Sequence, residues 1–366
     1  MSAENTLGEG GPDLPREPAS PRTPLTPPGG PLIGFELYLK RNSKRMDDYL
    51  ATFFMDGTHP DMKRYLYGPL AEYSANAGKR HRPLICLLAC EAVGGDPERA
   101  RSSAAAIEHF HTAALIHDDI EDASQTRRGE PCLHIKEGDG LAINAGDLAL
   151  SLVTGTVVDE PNLDDTTKLR VLKELVDMTT RTIEGQALDI GWARDDRFDL
   201  TVDDYLLMAN HKTAFYSGAV PLAVGAIVGG GSESQIEMLR AFGMATGLAF
   251  QIQDDMLNLI GTREATKKDF RSDITEGKRT LIAVHALQHS ENRERLLAIL
   301  SAHTADSADL DEAVAIMREA GSIEYANAYA GRLVVEAKAA LIRDLPRTKA
   351  RDMLAAMADF FVKRNT

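Results

Sequence analysis

Cysteine is scarce in this sequence, with three residues among 366 (Cys86, Cys90 and Cys132). Three cysteines do not form a disulfide framework, and a reducing cytoplasm is consistent with this composition. Cys86 and Cys90 lie four residues apart on a predicted helix, and no neighbouring Cys or His completes a zinc ligand set. We expect both thiols to pack as small apolar groups.

The sequence also lacks an excess of positive charge and long apolar segments. Its net charge at pH 7 is −14, which argues against nucleic acid as a partner. We find no apolar segment with the length of a membrane span, and the N-terminus has neither the basic nor the apolar region of a signal peptide. These absences predict a cytoplasmic protein without stable membrane insertion.

Residues 1–31 have no aromatic side chain, and proline recurs through them from Pro12 onward. Such a composition does not bury a core, so this segment is predicted to stay disordered or extended. We interpret it as a passive tail, although a proline-rich docking motif would have the same composition. The folded domain is then expected to comprise residues 32–366.

From Phe35 onward, apolar residues recur at intervals of three and four, which is the period of amphipathic helices. No alternating strand pattern and no regular repeat stands out. Several helices are apolar on more than one face, which indicates a buried central layer. The sequence therefore predicts an all-α fold, a large single-domain helical bundle. The predicted helices span 35–53, 62–73, 84–93, 97–122, 140–158, 164–189, 203–210, 214–228, 233–258 and further segments within 280–363.

Two clusters of carboxylates end long apolar helices: Asp118, Asp119 and Asp122 form the first, and Asp254 and Asp255 the second. Asp118 and Asp122 are four residues apart and share a helix face, so their charges repel. Carboxylate oxygens suit hard cations, and Mg²⁺ held by few carboxylates usually also binds substrate phosphates. Two metal-binding walls that face one cavity are predicted, although two solvated acidic helix faces would give the same pattern.

Basic residues stand near each acidic cluster in this otherwise acidic chain. A helix N-terminus flanked by Lys and Arg suits anions, and Arg makes planar bidentate contacts to phosphate oxygens. Each basic group alone could be a solvated surface, but their joint placement beside carboxylates indicates a site for diphosphate chemistry. The groups are Lys79 to Arg82 before Pro83, Arg127 with Arg128, Lys212 with Thr213, and Lys267 and Lys268 with Lys278.

The motifs follow one another as Gly78–Pro83, Asp118–Asp122, Arg127–Gly129, Gly185–Gln186 with Asp189, Lys212–Thr213, Phe250–Asp255, Asp273 and Gly277–Lys278. In this order they resemble those of the all-trans isoprenyl diphosphate synthases of the polyprenyl synthetase family, and most of all the geranylgeranyl diphosphate synthases. The resemblance covers residues 35–366. One Asp-rich motif would be weak support, whereas the ordered set is specific. The resemblance implies a helical bundle around a central substrate cavity.

The resemblance further implies a homodimeric, Mg²⁺-dependent prenyltransferase that joins isopentenyl diphosphate to allylic diphosphates, with three ions per site. The implied metal ligands are Asp118, Asp122 and Asp254, with Asp119 and Asp255 in support. The implied ligands of the allylic diphosphate are Arg127, Lys212 and Lys268, beside Thr213 and Gln251, and Lys278 is expected to bind substrate as well. The implied ligands of isopentenyl diphosphate are Lys79, Arg82, His111 and Arg128. Without the family match, His111 would be interpreted as a buried structural histidine.

Three residues depart from the family pattern. Asn258 ends the second acidic motif where Asp is commonest, and Ala77 and Lys267 replace glycines. Because the first Asp of that motif is the main ligand, we expect the protein to be active and the glycine replacements to have small effects.

Other functions fit the same fold less well. A terpene cyclase would not need the Lys79–Arg82 group, and its own second metal motif is absent. A non-catalytic regulatory subunit would tend to lose one Asp-rich motif, and this chain keeps both. A prenyltransferase with another acceptor stays open.

Product length is predicted from the positions four, five and eight before Asp118, which line the path of the growing chain in this family. They are Ala114, Ala113 and Phe110. Alanine at the first two leaves the path open past C15, and Phe110 lies one helical turn, about 5.4 Å, further on. We therefore expect a C20 product with C25 or C15 as alternatives, unless Phe110 is simply a core residue.

Overall fold

The computed structural model describes residues 30–76, 78–261 and 271–362, which form an all-α fold as predicted. Lys267, Lys268 and Ala77 lie outside the described residues, as does the tail up to residue 29. The α-helices are α1 Gly30–Leu50, α2 Pro60–Met62, α3 Gly68–Ala75, α4 His81–Ala92, α5 Arg101–Glu121, α6 Leu133–Glu137, α7 Asp139–Val158, α8 Asp165–Arg194, α9 Val202–Ala209, α10 Val220–Val228, α11 Glu233–Ile260, α12 Ser272–Thr275, α13 Leu281–His289, α14 Arg293–Ser301, α15 Ser307–Glu319, α16 Ser322–Asp344 and α17 Lys349–Val362.

Short 3₁₀ and π-helical segments and one small β-hairpin lie between these α-helices. Short 3₁₀ turns cover Ala51–Phe53 and Pro97–Ala100, and π-helical segments cover Lys63–Tyr67 and Asn210–Ala219. The strands β1 Thr126–Arg127 and β2 Glu130–Pro131 pair antiparallel directly after α5. The hairpin places two arginines beside the acidic end of α5.

The buried central layer predicted from the sequence is helix α10. All nine of its residues are buried, and it packs against α4, α8 and α11. Gly225 on α10 faces α4, where a Cβ would overlap the carbonyl oxygen of Cys86. The buried thiols of Cys86 and Cys90 belong to this interface, so α4 and α10 pack backbone to backbone around small side chains.

Helix starts near the site are fixed by local hydrogen bonds. Capping boxes open α9 at Thr201 with Asp204 and α11 at Ser232 with Gln235. Each satisfies backbone donors that the first helical turn leaves free, which stabilises a helix by about 1 kcal/mol. The two helices carry Tyr205 and the second acidic cluster, so these caps also fix the register of site residues.

The expectation that no apolar segment reaches the length of a membrane span needs correction. Helix α7 is long and apolar enough by length and composition, with a mean hydropathy of 1.5 over its most apolar window. In this structure, 39% of that window is buried inside the protein, and α7 packs against α5. Because the sequence shows composition and not contacts, it does not distinguish a helix that packs partly against the protein from a span.

Candidate active site

Three cavities open along the helices that carry the sequence motifs, and they share lining residues. We call them the acidic, basic and apolar cavities. Lys212 and Thr213 line both the acidic and the apolar cavity, and Asp254 lines both the acidic and the basic cavity. The acidic cavity is lined by Asp189, Tyr205, Gln251, Asp254, Asp255, Asn258, Asp273 and Lys278; the basic cavity by Lys79, Arg80, Arg82, Glu108, His111, Arg128, Phe250 and Phe361; the apolar cavity by Phe110, Ala114, Asp118, Leu150, Ile183, Ile190 and Tyr216.

The first acidic cluster ends helix α5. Asp118 accepts hydrogen bonds from Arg127 Nη2 at 3.2 Å and from Gln186 Nε2 at 3.3 Å. Asp122 follows as the C-cap of α5, where a negative charge is unfavourable. Burial, together with the charge of Asp118, raises the pKa of Asp122 to about 6. A cation placed between these two carboxylates would relieve their repulsion.

Asp119 has different surroundings from its neighbour. It is 1% exposed, and it accepts hydrogen bonds from Tyr73 Oη at 2.7 Å and from Arg127 Nε at 2.7 Å. Burial and the charge of Asp119 raise the pKa of the nearby Cys132 thiol to about 12. Asp119 thus ties α3 and the hairpin to α5, which agrees with a supporting position.

The second acidic cluster lies on α11. The carboxylate of Asp255 is buried and accepts hydrogen bonds from Tyr205 Oη at 2.8 Å and Gln251 Nε2 at 2.7 Å. Burial, followed by the charge of Asp273, raises the pKa of Asp255. Asp254 lines both the acidic and the basic cavity. Gln251, expected beside the allylic diphosphate, lines the acidic cavity and also orients Asp255.

Asn258, the departure from the family pattern, has a structural partner. Its Nδ2 donates to Ser272 Oγ at 3.0 Å, and its Oδ1 accepts from the backbone N–H of Asp273 at 3.2 Å. Asp273 is half-buried and lies 3.7 Å from Lys278 Nζ. Asn258 therefore holds the segment that brings a further carboxylate to the acidic cavity.

Lys212 sits in the π-helical segment Asn210–Ala219 between α9 and α10. Such segments are frequent at functional sites because they re-aim side chains. A Cβ on Gly185 would overlap the backbone nitrogen of Lys212, so glycine lets α8 approach this segment closely. Lys212 is paired with Asp189. Burial acts to lower the pKa of Lys212, but the charges of Asp189 and Asp118 outweigh it and raise that pKa above its ordinary value.

The basic cavity contains a fixed cluster around Arg82. Its guanidinium donates to Ser217 Oγ at 2.9 Å, to Tyr216 Oη at 2.9 Å and to His111 Nε2 at 3.1 Å. Burial, and next the charge of Arg82, lowers the pKa of His111 well below its usual range. Because a guanidinium only donates, the neutral ring accepts at Nε2 and carries its proton on Nδ1.

Arg128 reaches the same cavity from the hairpin. Its Nη1 donates to the carbonyl oxygen of Asn76 at 2.5 Å, and it lies against Gly78. Lys79 lines the cavity, with Nζ 5.8 Å from the ring centre of Phe360. All four residues expected to bind isopentenyl diphosphate (Lys79, Arg82, His111 and Arg128) therefore line one cavity.

The apolar cavity contains two of the three predicted chain-length residues. Phe110 and Ala114 line it, and the rings of Phe110 and Tyr216 meet edge to face at 5.6 Å. Ala113 is the exception: it is buried on another face of α5, in a cluster with residues of α3 and α7. The expectation that Ala113 lines this path needs correction, because one residue turns the side chain by about 100° around a helix with 3.6 residues per turn.

Several residues of the site have no signal in the sequence. Tyr73 and Tyr205 hold Asp119 and Asp255 from helices remote along the chain. The far wall of the apolar cavity comes from α8, through Ile183 and Ile190. A hydrogen bond or a wall between distant elements leaves no periodic pattern, whereas Asp189 and Asp273 could be found because they belong to matched motifs.

The carboxylates suit a metal that is held jointly by the protein and a phosphate substrate more than a metal that is held by protein ligands alone. Within residues 30–76, 78–261 and 271–362, no three His, Cys, Asp or Glu side chains are grouped so that they could hold an ion by themselves. Mg²⁺ typically keeps waters and substrate phosphates and takes one or two carboxylates. Asp118, Asp122 and Asp254 offer donors of that kind around the cavities.

Comparisons with known proteins agree with this arrangement. Residues 63–317 match the polyprenyl synthetase family. The chain is 40% identical, over 329 residues, to a short chain isoprenyl diphosphate synthase of Methanothermobacter thermautotrophicus, covering 89% of this chain and 97% of the relative.

Two solved structures have the same fold. A geranylgeranyl pyrophosphate synthetase from Pyrococcus horikoshii superposes with a TM-score of 0.84 at 34% identity, covering 91% of this chain and 99% of that chain. A geranylgeranyl pyrophosphate synthase from Corynebacterium glutamicum, complexed with isoprenyl diphosphate and magnesium, superposes with a TM-score of 0.78 at 29% identity, covering 91% and 99%.

The raised pKa of Asp122 predicts a pH-dependent cost to stability. A raised carboxyl pKa destabilises the folded state above that pKa, and the cost disappears as pH falls to the ordinary value near 3.8. Asp122→Asn should therefore stabilise the metal-free protein at pH 7.5 by on the order of 1 kcal/mol, after allowance for partial exposure. The gain should shrink as pH falls through 6.

Thermal unfolding of both proteins in EDTA, from pH 7.5 to 4.5, measures this difference. Asp159→Asn is the matched control, because Asp159 is likewise an exposed C-cap, that of α7. It should give a smaller gain in stability at pH 7.5 than Asp122→Asn. An Asp122→Asn variant less stable than the parent at pH 7.5 would contradict the assignment of burial and repulsion at this site.

Proposed function

Since the chain belongs to the polyprenyl synthetase family and is a trans-prenyltransferase, we propose that it condenses isopentenyl diphosphate with allylic diphosphates in a Mg²⁺-dependent reaction. We propose geranylgeranyl diphosphate (C20) as its main product. The observation that carries the proposal is the meeting of the three cavities, at Lys212 and Asp254. One cavity suits a metal-bound diphosphate, one a second diphosphate, and one a hydrocarbon chain.

Asp118, Asp122 and Asp254 would hold Mg²⁺, in a set of three ions per site. Bound there, Mg²⁺ would neutralise charge on the leaving diphosphate. The raised pKa of Asp122 and the neighbouring Asp118 charge support this choice, because a divalent cation compensates both. Asp119 and Asp255 would act in support, since each is held by a tyrosine.

The allylic diphosphate would occupy the acidic cavity beside Lys212. Arg127, Lys212 and Lys278 each pair with a carboxylate in this structure, so they would exchange that partner for phosphate oxygens as metal binds the carboxylates. Thr213 and Gln251 would bind next to them. Lys268, proposed for the same role, lies outside the described residues.

Isopentenyl diphosphate would bind in the basic cavity. Lys79, Arg82 and Arg128 supply positive charge there, and the neutral His111 ring carries its proton on Nδ1, 3.5 Å from Tyr216 Oη. Tyr216 and Ser217 hold the Arg82 guanidinium in one orientation. Fixed donors of this kind lose little entropy on binding.

In the proposed reaction the C1–O bond of the allylic diphosphate breaks, and both electrons leave with the diphosphate. Lys212 and Arg127 would stabilise the negative charge that develops on the leaving oxygen. The double bond of isopentenyl diphosphate then forms the new C–C bond, and a proton is lost to the released diphosphate. The helices around the apolar cavity would exclude water, which would otherwise capture the cation.

The product chain would extend into the apolar cavity, which has a volume of about 390 Å³. Ala114 leaves its entrance open, and the contact between Phe110 and Tyr216 supports an end wall at that depth. Ile183 and Ile190 on α8 form the opposite side. This depth is the basis for a C20 product.

We also propose that the protein acts as a cytoplasmic homodimer, with residues 32–366 as one domain. Apolar side chains on α8 repeat every seventh residue and are exposed: Leu169, Val176, Ile183 and Ile190. A repeat of this kind forms a seam suited to a partner helix. Val158 and Ile143 add exposed apolar surface on the neighbouring α7.

The reaction and the metal role can be tested together. The purified protein should form an all-trans prenyl diphosphate from isopentenyl and allylic diphosphates with Mg²⁺, and no product with EDTA. Asp118→Ala should lower turnover by about 10³-fold or more, because it removes stabilisation of developing charge.

Asp195→Ala is the control, since this exposed carboxylate lies outside the three cavities. Its turnover should equal that of the parent. No product from any allylic primer would reject the proposed function. Near-normal turnover of Asp118→Ala at saturating Mg²⁺ would reject the metal role alone.

Product length tests the apolar cavity. Ala114→Phe should shorten the product to C15, because its ring would fill the entrance, and Phe110→Ala should lengthen the product beyond C20. Ala113→Phe is the matched comparison on the same helix: it should lower stability without shortening the product, because Ala113 packs towards α3 and α7.

Chromatography of the dephosphorylated products gives the distribution. An unchanged distribution in Phe110→Ala would mean that the end wall is formed by another residue, and Ile183 on α8 would be the next to change. Shortening by Ala113→Phe equal to that by Ala114→Phe would contradict the position of Ala113.

The proposed dimer interface can be tested by the molar mass of the protein in solution. Val176→Asp should convert a dimer to a monomer, because it buries an unpaired charge in the seam. Val335→Asp is the control, as Val335 is an exposed apolar residue on α16, 69% exposed compared with 58% for Val176. Light scattering after size exclusion measures both; a dimeric Val176→Asp protein would exclude this seam.

A further inference from the structure

We propose that Arg80 is a positioning residue of the basic cavity: it neutralises the buried carboxylate of Glu108, so that the cavity accepts an anion, and it binds no phosphate itself. The inference rests on the proposed binding of isopentenyl diphosphate in this cavity. Arg80 lies between Lys79 and Arg82, and all three are basic residues of one short segment. The partners of each guanidinium in the structure indicate that Arg80 and Arg82 have different roles.

The guanidinium of Arg80 is occupied by protein groups on three sides. It is 3% exposed. Nη1 donates to Glu108 at 2.6 Å, Nε donates to Asp47 at 2.6 Å, and Nη2 donates to the carbonyl oxygen of Ser74. A phosphate at this guanidinium would have to displace a buried carboxylate. Arg82, in contrast, is held by two hydroxyls and a neutral histidine, which leave its charge available.

Glu108 is the carboxylate that Arg80 must neutralise if the basic cavity is to bind an anion. It is 2% exposed and lines the basic cavity one helical turn before His111 on α5. An unpaired carboxylate at such a depth would repel a diphosphate strongly, because little water screens the two charges. With Arg80 in place, the pair contributes no net charge, and Lys79, Arg82 and Arg128 give the cavity its positive charge beside the carboxylate of Asp254.

The same contacts fix the backbone of the segment. Arg80 is the N-cap of α4 and has a φ of 49°, a left-handed conformation that costs energy for a residue other than glycine. Its three partners lie on α1, at the end of α3 and on α5. Surrounding contacts of this kind keep a residue in a sparsely populated conformation. They therefore also fix the backbone positions from which the side chains of Lys79 and Arg82 extend.

A double-mutant cycle tests the charge role with Arg80→Met, Glu108→Gln and the double variant. The dissociation constant for isopentenyl diphosphate alone is measured by calorimetry, with inorganic diphosphate as a second probe. KM is measured for both substrates. We expect Arg80→Met to raise the dissociation constant for isopentenyl diphosphate by about tenfold or more. The dissociation constant of the double variant should lie within about threefold of that of the parent. KM for the allylic substrate should change little.

Arg240→Met is the matched control. Arg240 also contacts two carboxylates, Glu174 and Glu237, and lies away from the three cavities. It should lower the unfolding temperature without changing affinity for either substrate. If the parent binds neither isopentenyl diphosphate nor inorganic diphosphate, the proposed function has failed and not the role of Arg80.

The outcomes distinguish three roles for Arg80. Recovery in the double variant supports neutralisation of Glu108. A double variant as weak as Arg80→Met would make Arg80 a direct ligand, and equal losses for both substrates would make it a purely structural residue; either result overturns the proposal. If Arg80→Met does not fold, the double variant is compared with Glu108→Gln: equal affinity supports the proposal, and a tenfold loss overturns it.

Discussion

Charge balance between neighbouring carboxylates and bases is the constraint on which the site depends. Lys212 lines cavities with Asp118 and Asp254, Lys278 lines the acidic cavity, and Arg127 contacts Asp118. Each of these bases is paired with a carboxylate. The pair of Lys212 with Asp189 is half-buried, so water screens it less than a surface pair and loss of either partner would be costly. Metal and diphosphate together can replace such pairs without leaving either sign in excess, whereas either one alone would unbalance them. Binding of the two is therefore expected to be mutually dependent.

Uncharged side chains keep this balance in place by fixing carboxylates in and around the cavities. Tyr73 holds Asp119, Tyr205 holds Asp255, and Asn258 holds the segment of Asp273. Such supporting contacts orient ligand groups and are commonly as important as the groups themselves. They explain why Asn258 is compatible with the site: an amide can make these two hydrogen bonds, one as donor and one as acceptor.

The sequence was informative where physical patterns are local. Helical period predicted the all-α fold and a buried central layer, and charge clusters predicted that acidic and basic groups meet. It failed where a result depends on contacts between distant elements. The face of Ala113, the wall supplied by Ile183, and the tyrosines follow from packing of α3, α5, α8 and α9. The direction of Lys212 in its π-helical segment and the packing of α7 against α5 likewise follow from their neighbours.

Helix α8 connects two parts of the proposal that would otherwise be separate. Ile183 is 59% exposed and Ile190 is 39% exposed, yet both line the apolar cavity. A single protomer thus leaves water close to the wall along which a hydrocarbon chain would extend. If a second copy covers the exposed seam of α8, it also excludes water from the cavity wall, because Ile183 and Ile190 belong to both the seam and the wall. Association and water exclusion would then depend on the same residues, and a seam variant such as Val176→Asp, which lies outside the cavity, could alter catalysis without touching a substrate.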